Sequence, residues 1–503
     1  MTVVPILDDR ALDHRSVDIL IVGAGPTGLG AATRLMQLGH ADWLMVDSSP
    51  AAGGLARTDT TPEGFLFDMG GHVVFSHYKF FDQLLDHAVG ESDTCWTTLE
   101  RVSYVWIKDR WVPYPFQNNL FCLPVDDQVL CIQGAIDAAV FSQTNPSKPR
   151  TFDEWILRTL GNGIADLFMR PYNFKVWGYL PSDMQCTWLG ERVATVDVKR
   201  VIENVLRNRQ DAGWGPNAVF RFPLHGGTGG IWKKVCEALP QERVAFNKQL
   251  VGIDFDMRVA RFGDGSTCSY NSMICTAPLD KSLEWFGRKD LVARLKYSST
   301  HVVGLGIRGR NPHDKKCWMY FPEDNCPFYR CTVFSLYSRY NCPAETTLLR
   351  TLLMADGSPV EEADARPGPF WSLMFEISES PVKPVNQSTV IEDTIQGAIN
   401  TKLIDPSAEI VSIYHQRLER GYPTPSLERD EAVIEGLKLL KAKRVWSRGR
   451  FGAWKYEVGN QDHSVMQGLE AVDNILRGSE EFTITYCDLA NGRRNEDIVF
   501  TKH

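Results

Sequence analysis

A strand, a glycine-rich turn, a helix and a second strand begin the chain, and they constrain its fold more than any other feature. Residues 17–22 are nearly all apolar, which is typical of a strand buried on both faces of a parallel sheet. The turn Gly23-Ala24-Gly25-Pro26-Thr27-Gly28 follows at once, and a helical pattern continues to Leu38. A second apolar strand, Trp43–Val46, ends at Asp47. This order predicts a βαβ unit of a dinucleotide-binding domain.

Each glycine of the turn has a separate predicted role. Gly23 permits the tight turn, Gly25 lets the backbone approach a pyrophosphate, and Gly28 lets the helix pack on the strand. The helix N-terminus then presents N–H groups and a positive dipole end to the phosphates. Asp47 follows Gly28 by nineteen residues and is placed to accept hydrogen bonds from a ribose diol. A carboxylate there disfavours a 2′-phosphate, so the nucleotide is FAD or NAD rather than NADP.

Later glycine-containing segments decide between these two cofactors in favour of FAD. Residues 52–56 and 65–72 contain glycine pairs that let backbone lie against a flat ligand. The stretch 251–278 is similar to the adenine-side strand of amine-oxidase-like flavin enzymes. Residues 449–452 and 459–462 precede a helix whose N-terminus is predicted to face the pyrimidine edge of the flavin.

Length and composition indicate an ordinary globular enzyme of two or three lobes. The chain has 503 residues, of which 43% are hydrophobic and 23% charged. Its net charge of -8 argues against a duplex nucleic acid partner. Twelve cysteines without a CxxC pair make a structural zinc site unexpected and favour reduced thiols, so no metal is predicted. Without an apolar leader or a run of ~18 apolar residues, we expect a cytoplasmic protein with no membrane segment.

The predicted fold class is α/β, with a Rossmann-like FAD-binding domain, an inserted helical lobe and a mixed-sheet substrate lobe. Strands are predicted at 244–255, 272–276, 301–308 and 371–377. The FAD-binding domain is expected to be discontinuous, because the first βαβ unit and the segment 450–475 are predicted to close on one lobe. The predicted division is 1–95 (FAD-binding), 96–215 (mainly helical, substrate and flaps), 216–300 (FAD-binding), 301–440 (sheet-containing, substrate) and 441–503 (FAD-binding).

Aromatic residues and arginines recur together in short polar contexts, for example at 170–177, 188–192, 318–325 and 328–330. Aromatic faces stack on bases and sugars, and arginine forks bind diphosphate oxygens. Singly, each is an ordinary core residue or a surface ion pair. Together they indicate an anionic substrate that contains rings.

Several longer motifs carry a resemblance to one enzyme family over nearly the whole chain. They are residues 70–78, 113–119, 169–177, 190–193, 214–217, 222–230, 316–330, 421–425 and 449–463. These segments resemble the UDP-galactopyranose mutases of the eukaryotic, fungal type. The sequence departs from that pattern at Gly178, at Leu336 and at Val196-Asp197. These positions flank the implied site, so the departures bear on flap behaviour and sugar preference rather than on the reaction class.

The resemblance implies a role for individual residues. The implied uridine wall is Phe75, Tyr114, Phe116, Gln117, Asn173 and Trp177. The implied diphosphate and sugar contacts are Arg192, Arg330, Tyr320, Tyr422, Tyr456, Asn217, Trp318 and Asn460. With the turn residues, the cofactor set becomes Gly23, Gly25, Thr27, Gly28, Asp47, Ser48, Gly54, Leu55, Gly70, His72, Val251, Arg450, Gly459, Asn460, Gln461 and Ser464. The implied catalytic residues are His72 beside flavin N5, Arg192 and Arg330.

The activity that the resemblance implies is the non-redox interconversion of UDP-galactopyranose and UDP-galactofuranose, a step of galactofuranose biosynthesis. Reduced flavin N5 would be the nucleophile at the anomeric carbon, and NADPH the external reductant. No second GxGxxG is present for NADPH, so it would use the substrate cleft. Homo-oligomeric assembly stays open.

Two other functions share the flavin features. The first is an amine-oxidase-like or desaturase-like FAD oxidoreductase, which has no need of two arginines for a diphosphate. The second is a catalytically silent binding protein that retains the flavin fold. Turnover of UDP-galactofuranose by the reduced protein distinguishes the three.

Overall fold

The computed structural model describes residues 15–212, 215, 218–360 and 364–501. Its strands are β1 Arg15–Val22, β2 Trp43–Val46, β3 Thr58–Thr60, β4 Leu66–Asp68, β5 Trp96–Glu100, β6 Ser103–Ile107, β7 Arg110–Pro113, β8 Val219–Pro223, β9 Val244–Ala245, β10 Leu250–Asp254, β11 Val259–Phe262, β12 Thr267–Cys275, β13 Tyr297–Arg308, β14 Trp318–Tyr320, β15 Arg330–Val333, β16 Leu353–Met354, β17 Phe370–Glu379, β18 Glu409–Pro423 and β19 Val445–Ser447.

The α-helices are α1 Pro26–Gln37, α2 Lys79–Val89, α3 Val125–Thr144, α4 Phe152–Ile164, α5 Arg170–Trp177, α6 Val198–Arg207, α7 Gly227–Glu237, α8 Leu279–Trp285, α9 Lys289–Val292, α10 Val390–Asn400, α11 Arg429–Ala442, α12 Gln461–Arg477, α13 Phe482–Thr485 and α14 Cys487–Gly492. Within the described ranges, no helix is both long enough and apolar enough to cross a membrane.

The predicted βαβ unit is confirmed and lies at the centre of a seven-stranded sheet. β1 pairs in parallel with β2 on one side and with β12 on the other. Ile19 and Ile21 pack into the core that contains α1 and α12, whereas Leu20 and Val22 pack into the core on the opposite face. A strand between two packed layers is apolar on both faces. The continuous apolar run of β1 therefore reflects its central place in the sheet.

Helices α1 and α12 cross at backbone contact beside this sheet. A Cβ on Gly30 would lie 2.4 Å from Val465 O, and a Cβ on Gly468 would lie 1.9 Å from Thr27 O. No side chain fits at either glycine, so the helices approach closely over their N-terminal halves. This crossing brings residues 459–464, at the start of α12, next to the glycine turn.

An eight-stranded sheet forms the second large body, in the order β16-β18-β13-β17-β15-β14-β6-β7. Long antiparallel strands make its centre, where β13 pairs with both β17 and β18. The β6–β7 hairpin extends it through a parallel pairing of β6 with β14. The segment 96–215, predicted to be mainly helical, therefore contributes two strands to this sheet as well as helices α3 to α6.

The α/β fold class is confirmed, and the chain enters the first sheet three times. The seven-stranded sheet takes its strands from residues 15–46, 244–275 and 445–447. Parallel pairing of β12 with both β1 and β19 joins these three regions. The five-segment division of the chain stays a prediction.

The helix crossing can be tested with the substitution Gly468→Ala. The added methyl group would overlap Thr27 O, so we expect the free energy of unfolding to fall by ~1–3 kcal/mol, the usual cost of overpacking. Urea denaturation with matched m-values measures this change. Gly492→Ala in α14 is the control, because a Cβ there meets no atom within 4 Å. Equal stability of the two variants would contradict the close crossing.

Candidate active site

Contacts that exclude side chains shape the glycine turn between β1 and α1. Gly23 has a φ of 106°, and a Cβ there would lie 1.9 Å from Thr276 Oγ1. A Cβ on Gly28 would lie 1.8 Å from Gly23 O, so α1 starts directly against the turn. Gly25 is the N-cap residue of α1 and makes no side-chain cap. The first-turn amides of an uncapped helix are available to an anionic ligand.

Two further segments converge on the start of α1. A Cβ on Gly54 would lie 3.2 Å from Gly25 Cα, which places the backbone of the second glycine pair against the turn. Leu55, the next residue, packs against two hydrophobic cores. From another side, a Cβ on Gly449 would lie 2.5 Å from Thr27 Oγ1. The floor of the predicted pyrophosphate site is thus backbone from three separate parts of the chain.

Asp47 lies at the carboxyl end of β2, where the ribose acceptor was predicted. Its Oδ2 accepts a hydrogen bond from Ala24 N at 2.6 Å, and its Oδ1 accepts one from Ser49 N at 2.7 Å. Each carboxylate oxygen keeps a second lone pair for a diol. Ser48 is exposed beside it, and Val251, in the edge strand β10, is 48% exposed.

The N-terminus of α12 forms the opposite end of the predicted flavin site. Asn460 is the N-cap residue, with no side-chain cap, and its carbonyl accepts from Ser464 N at 2.9 Å. The Oε1 atom of Gln461 accepts from Trp232 Nε1 at 2.8 Å. The first-turn N–H groups of α12 are therefore available to a ligand at the helix start.

Arg450 lies beside this helix start and between two tyrosines. Its Nη1 donates to Gly459 O at 3.4 Å, and its Nε and Nη2 donate to Gly421 O at 3.3 Å. The guanidinium lies 4.9 Å from the ring centroid of Tyr422 and 5.3 Å from that of Tyr456. Burial lowers the pKa of Arg450, against the effect of the two phenols. Arg450 thus adds positive charge between the predicted flavin and substrate sites.

Residues 70–77, here called the His72 loop, connect β4 to α2. His72 Nδ1 is buried and has no hydrogen-bond partner in the described part of the chain. Burial lowers the pKa of His72 to about 4; the carboxylate of Glu376 opposes this shift, and the charges of Arg450 and Arg330 reinforce it. The imidazole is therefore neutral at physiological pH.

The register of the eight-stranded sheet places Arg330 next to Tyr320 and Glu376. Tyr320 is opposite Arg330 across β14–β15, and Arg330 is opposite Glu376 across β15–β17. Directly opposite residues point to the same face of a sheet, and Trp318, two residues before Tyr320, shares that face. The Arg330 guanidinium lies 4.8 Å from the Trp318 ring centroid.

Arg192 belongs to a second aromatic group, which contains Trp177, Tyr422 and Tyr456. Its guanidinium lies 4.9 Å from the Tyr456 ring centroid, and its Nη2 donates to Glu457 O at 2.7 Å. The Trp177 ring centroid lies 4.8 Å from that of Tyr456 and 5.6 Å from that of Tyr422. The structure thus brings together four residues that were predicted from separate motifs.

The residues of the predicted uridine wall differ in their surroundings. The Tyr114 ring centroid is 5.0 Å from that of Tyr320, so Tyr114 lies next to the sheet face that carries Arg330. Phe116 is fully buried and stacks on Phe168 at 4.7 Å, so its contribution is to the packing beneath the wall. Gln117 Nε2 donates to a backbone carbonyl, whereas its Oε1 is buried and finds no partner among the residues that the structure describes.

Two other residues of this wall interact within their own segments, and one lies outside the described residues. Asn173 Nδ2 donates to Met169 O, one turn earlier, at 2.7 Å. The Phe75 ring centroid lies 5.5 Å from that of His77. Asn217, predicted near the sugar, is among the residues that the structure does not describe.

Sequence reasoning missed Glu376, which is 2% exposed and holds Arg330. A signal was present, since β17 is otherwise almost wholly apolar or small, and a carboxylate buried in such a strand requires a partner. The distance of 46 residues between the two partners concealed their pairing.

A buried group formed by His77, Asp462 and His463 was also not foreseen. Its ligand-type atoms lie within 4.8 Å of one another, although no metal site was expected. Asp462 Oδ2 accepts from both His77 N and His77 Nδ1 at 2.9 Å. We interpret the His77–Asp462 pair as a hydrogen-bonded anchor that joins the end of the His72 loop to the start of α12.

These features fit a bound flavin dinucleotide. Two helix N-termini without side-chain caps, those of α1 and α12, lie beside the same glycine segments. Gly25 and Gly54 form a wall without side chains that suits a pyrophosphate. His72 Nδ1 is a buried nitrogen without a partner in the part of the chain that the structure describes. Residues of the glycine turn, Asp47, the His72 loop, Arg450 and residues 459–464 would hold the cofactor.

Known proteins share this arrangement. Residues 26–459 match the family described as flavin containing amine oxidoreductase. A crystal structure of reduced UDP-galactopyranose mutase is 44% identical, with a TM-score of 0.88 over 96% of this chain and 99% of that chain. A probable UDP-galactopyranose mutase of Klebsiella pneumoniae is 24% identical over 181 residues, which are 34% of this chain and 44% of that protein. The matched part is therefore less than half of that relative.

More distant structures share the fold alone. A putative protoporphyrinogen oxidase from Exiguobacterium sp. 255-15 is 14% identical, with a TM-score of 0.65 over 92% of this chain and 98% of that chain.

The state of His72 predicts a pH effect on stability. Its folded pKa of about 4 lies below the unfolded value of 6.5, so the unfolded chain binds a proton first as the pH falls. Neutral His72 therefore contributes to the free energy of unfolding above pH ~6.5, and this contribution is lost as the pH falls toward ~4. We expect His72→Gln to lose less stability than the wild type in denaturant titrations between pH ~7 and ~5. His225→Gln, at an exposed site, is the control; equal pH sensitivity of wild type and His72→Gln would contradict a buried neutral imidazole.

Proposed function

Because the chain belongs to the flavin-containing amine oxidoreductases and, within them, to the UDP-galactopyranose mutase family, we propose that it binds FAD and interconverts UDP-galactopyranose and UDP-galactofuranose. The observation that carries the proposal is the pairing of a flavin fold with two arginines set among tyrosines. Arg192 and Arg330 lie in aromatic groups that also contain Tyr320, Tyr422 and Tyr456. This chemistry suits a nucleoside diphosphate.

The aromatic group around Arg330 lies next to the aromatic group around Arg192. Tyr329 lies beside Arg330, and Tyr422 belongs to the Arg192 group and also lies near Arg450. The ring centroids of these two tyrosines are 6.5 Å apart. A diphosphate between these groups would meet planar guanidinium donors and phenolic hydroxyls. An amine substrate, which is cationic at neutral pH, would be repelled by this positive charge.

In the proposed reaction the protein residues bind, orient and stabilise charge. When bound and reduced, the flavin supplies its N5 as the nucleophile for the anomeric carbon of the sugar. Arg192 and Arg330 stabilise the negative charge that develops on the departing diphosphate. His72, neutral at pH 7, accepts or donates a hydrogen bond beside the flavin instead of contributing charge. Trp177 and the tyrosines hold the nucleotide and exclude water.

We extend the proposal to NADPH as the external reductant, to a cytoplasmic location and to the fungal type of the family. The motif resemblance over nearly the whole chain supports the type and the reductant. All twelve cysteines are unpaired, which is typical of proteins in a reducing compartment. The homo-oligomeric state stays open.

Turnover without net reduction tests the reaction class. Protein with oxidised-flavin absorbance, reduced anaerobically with dithionite or NADPH, should convert UDP-galactofuranose to UDP-galactopyranose, as followed by chromatography. Substrate and product have the same oxidation level, so we expect no stoichiometric consumption of reductant. Consumption of one NADPH per product would favour the amine-oxidase-like alternative. A colourless protein that cannot be reconstituted with FAD would end the flavin proposal.

Arginine variants test the diphosphate contacts. Arg192→Ala and Arg330→Lys should weaken UDP binding or slow turnover roughly 30- to several-thousand-fold, as expected when a charge-assisted partner of a desolvated anion is removed or loses its planar guanidinium. We choose lysine at 330 because alanine would leave Glu376 buried without its partner. Turnover should be measured per bound flavin. Arg207→Ala, at a side chain 68% exposed, is the control, and control-like kinetics in both variants would show that the two arginines are structural.

A further inference from the structure

Glu376 is the most highly coordinated carboxylate next to the candidate site. It lies in β17, is 2% exposed, and accepts four hydrogen bonds. Oε1 accepts from Gly71 N at 2.9 Å and from Arg330 Nε at 2.7 Å. Oε2 accepts from Arg330 Nη2 at 2.6 Å and from Tyr329 OH at 2.7 Å. Both oxygens are thus fully engaged by groups of the site.

This carboxylate fixes the direction of the Arg330 guanidinium. Glu376 binds the Nε–Nη2 edge, and the Trp318 ring lies 4.8 Å from the guanidinium carbon. Within the described ranges, Nη1 makes no hydrogen bond, so it is the nitrogen left for a ligand. The positive charge of Arg330 lowers the pKa of Glu376 although burial acts in the opposite direction, so the pair is ionised.

The same carboxylate also fixes the start of the His72 loop. Gly71 precedes His72, and its amide donates to the Oε1 atom that Arg330 Nε contacts. A Cβ on Gly71 would lie 3.1 Å from that oxygen and 3.2 Å from Arg330 Nη2. The loop backbone therefore lies in direct contact with the ion pair, and one side chain determines the relative positions of loop and arginine.

We propose that Glu376 is a positioning residue that couples the anion-binding edge of Arg330 to the flavin-facing His72 loop. Through it, a diphosphate at Arg330 Nη1 and the placement of His72 depend on the same carboxylate. The inference rests on the proposed function for the identity of the anion and of the neighbouring cofactor. The protein contacts that carry it are independent of the reaction.

Charge and orientation make opposite predictions for Glu376→Gln. The substitution removes a negative charge 2.6 Å from the guanidinium, so Coulomb attraction alone predicts tighter binding of UDP. Glutamine presents one acceptor oxygen in place of two, so it cannot hold both Arg330 nitrogens and Gly71 N together. If positioning dominates, UDP binds more weakly despite the added net positive charge.

The test uses the FAD-loaded protein and measures UDP affinity in the oxidised state, kcat, KM and flavin midpoint potential. For Glu376→Gln we expect UDP affinity and kcat each to fall roughly tenfold or more, with an altered midpoint potential. Glu376→Asp, a carboxylate shorter by one methylene group, should give intermediate values. Glu379→Gln is the matched control, because Glu379 lies three residues on in β17, on the opposite face, and binds Arg417. Its values should match the wild type within about twofold.

Three outcomes would overturn the inference. Tighter UDP binding in Glu376→Gln would show that the carboxylate acts only through its charge, and unchanged binding would show that it does not position Arg330 for the anion. Normal UDP affinity, midpoint potential and turnover per flavin, with a lower melting temperature alone, would show a purely structural role. If Glu376→Gln does not fold, wild-type values in Glu376→Asp would have the same meaning.

A double variant tests whether Glu376 affects UDP binding through Arg330. In an Arg330→Lys background, Glu376→Gln should weaken UDP binding little further, because the guanidinium edge that it orients is gone. Fully additive losses would contradict the inference. UDP binding is measured without turnover, so a wild type that binds UDP but does not convert UDP-galactofuranose would refute the proposed function and leave this test intact.

Discussion

Helix α1 begins against the backbone of the turn that follows β1, because Gly28 has no side chain to separate it from Gly23 O. The first-turn amides therefore lie at the carboxyl end of a buried parallel strand, where they can bind phosphate oxygens. Gly468 allows α12 to cross α1 at similar closeness, so a second helix start reaches the same place. Without these contacts, the glycine turn and residues 459–464 would not lie side by side at the predicted cofactor site.

The substrate side depends on register rather than on glycine. Because β14, β15 and β17 pair with Tyr320, Arg330 and Glu376 directly opposite one another, these residues form one row on one face. A largely buried arginine is unfavourable without a partner, and Glu376 provides one that is still more deeply buried. Pairing also fixes the guanidinium, so that it is oriented before any anion binds, which is how charge stabilisation in enzymes avoids reorganisation.

Two buried carboxylates hold the His72 loop between these two sides. Glu376 accepts from Gly71 N near its beginning, and Asp462 accepts from His77 N at its end. The second of these belongs to α12, so the loop is attached to both large bodies of the molecule. His72 lies between the two anchors, and burial lowers its pKa. The position of the His72 loop therefore depends on contacts with residues that are distant in the sequence.

The sequence by itself determined the βαβ unit, since Gly23, Gly28 and the apolar run of β1 act locally or over a few tens of residues. The sequence also identified Arg192, Arg330 and the tyrosines as candidate site residues, because the family resemblance is carried by contiguous segments that contain them. Only the tertiary structure decided that Glu376 pairs with Arg330 and that Asp462 anchors His77, 385 residues away. Strand register and helix crossing set such contacts, and neither is encoded by local spacing. The protonation state of His72 was likewise decided by burial and by charges from distant parts of the chain, because a pKa depends on the environment that folding creates.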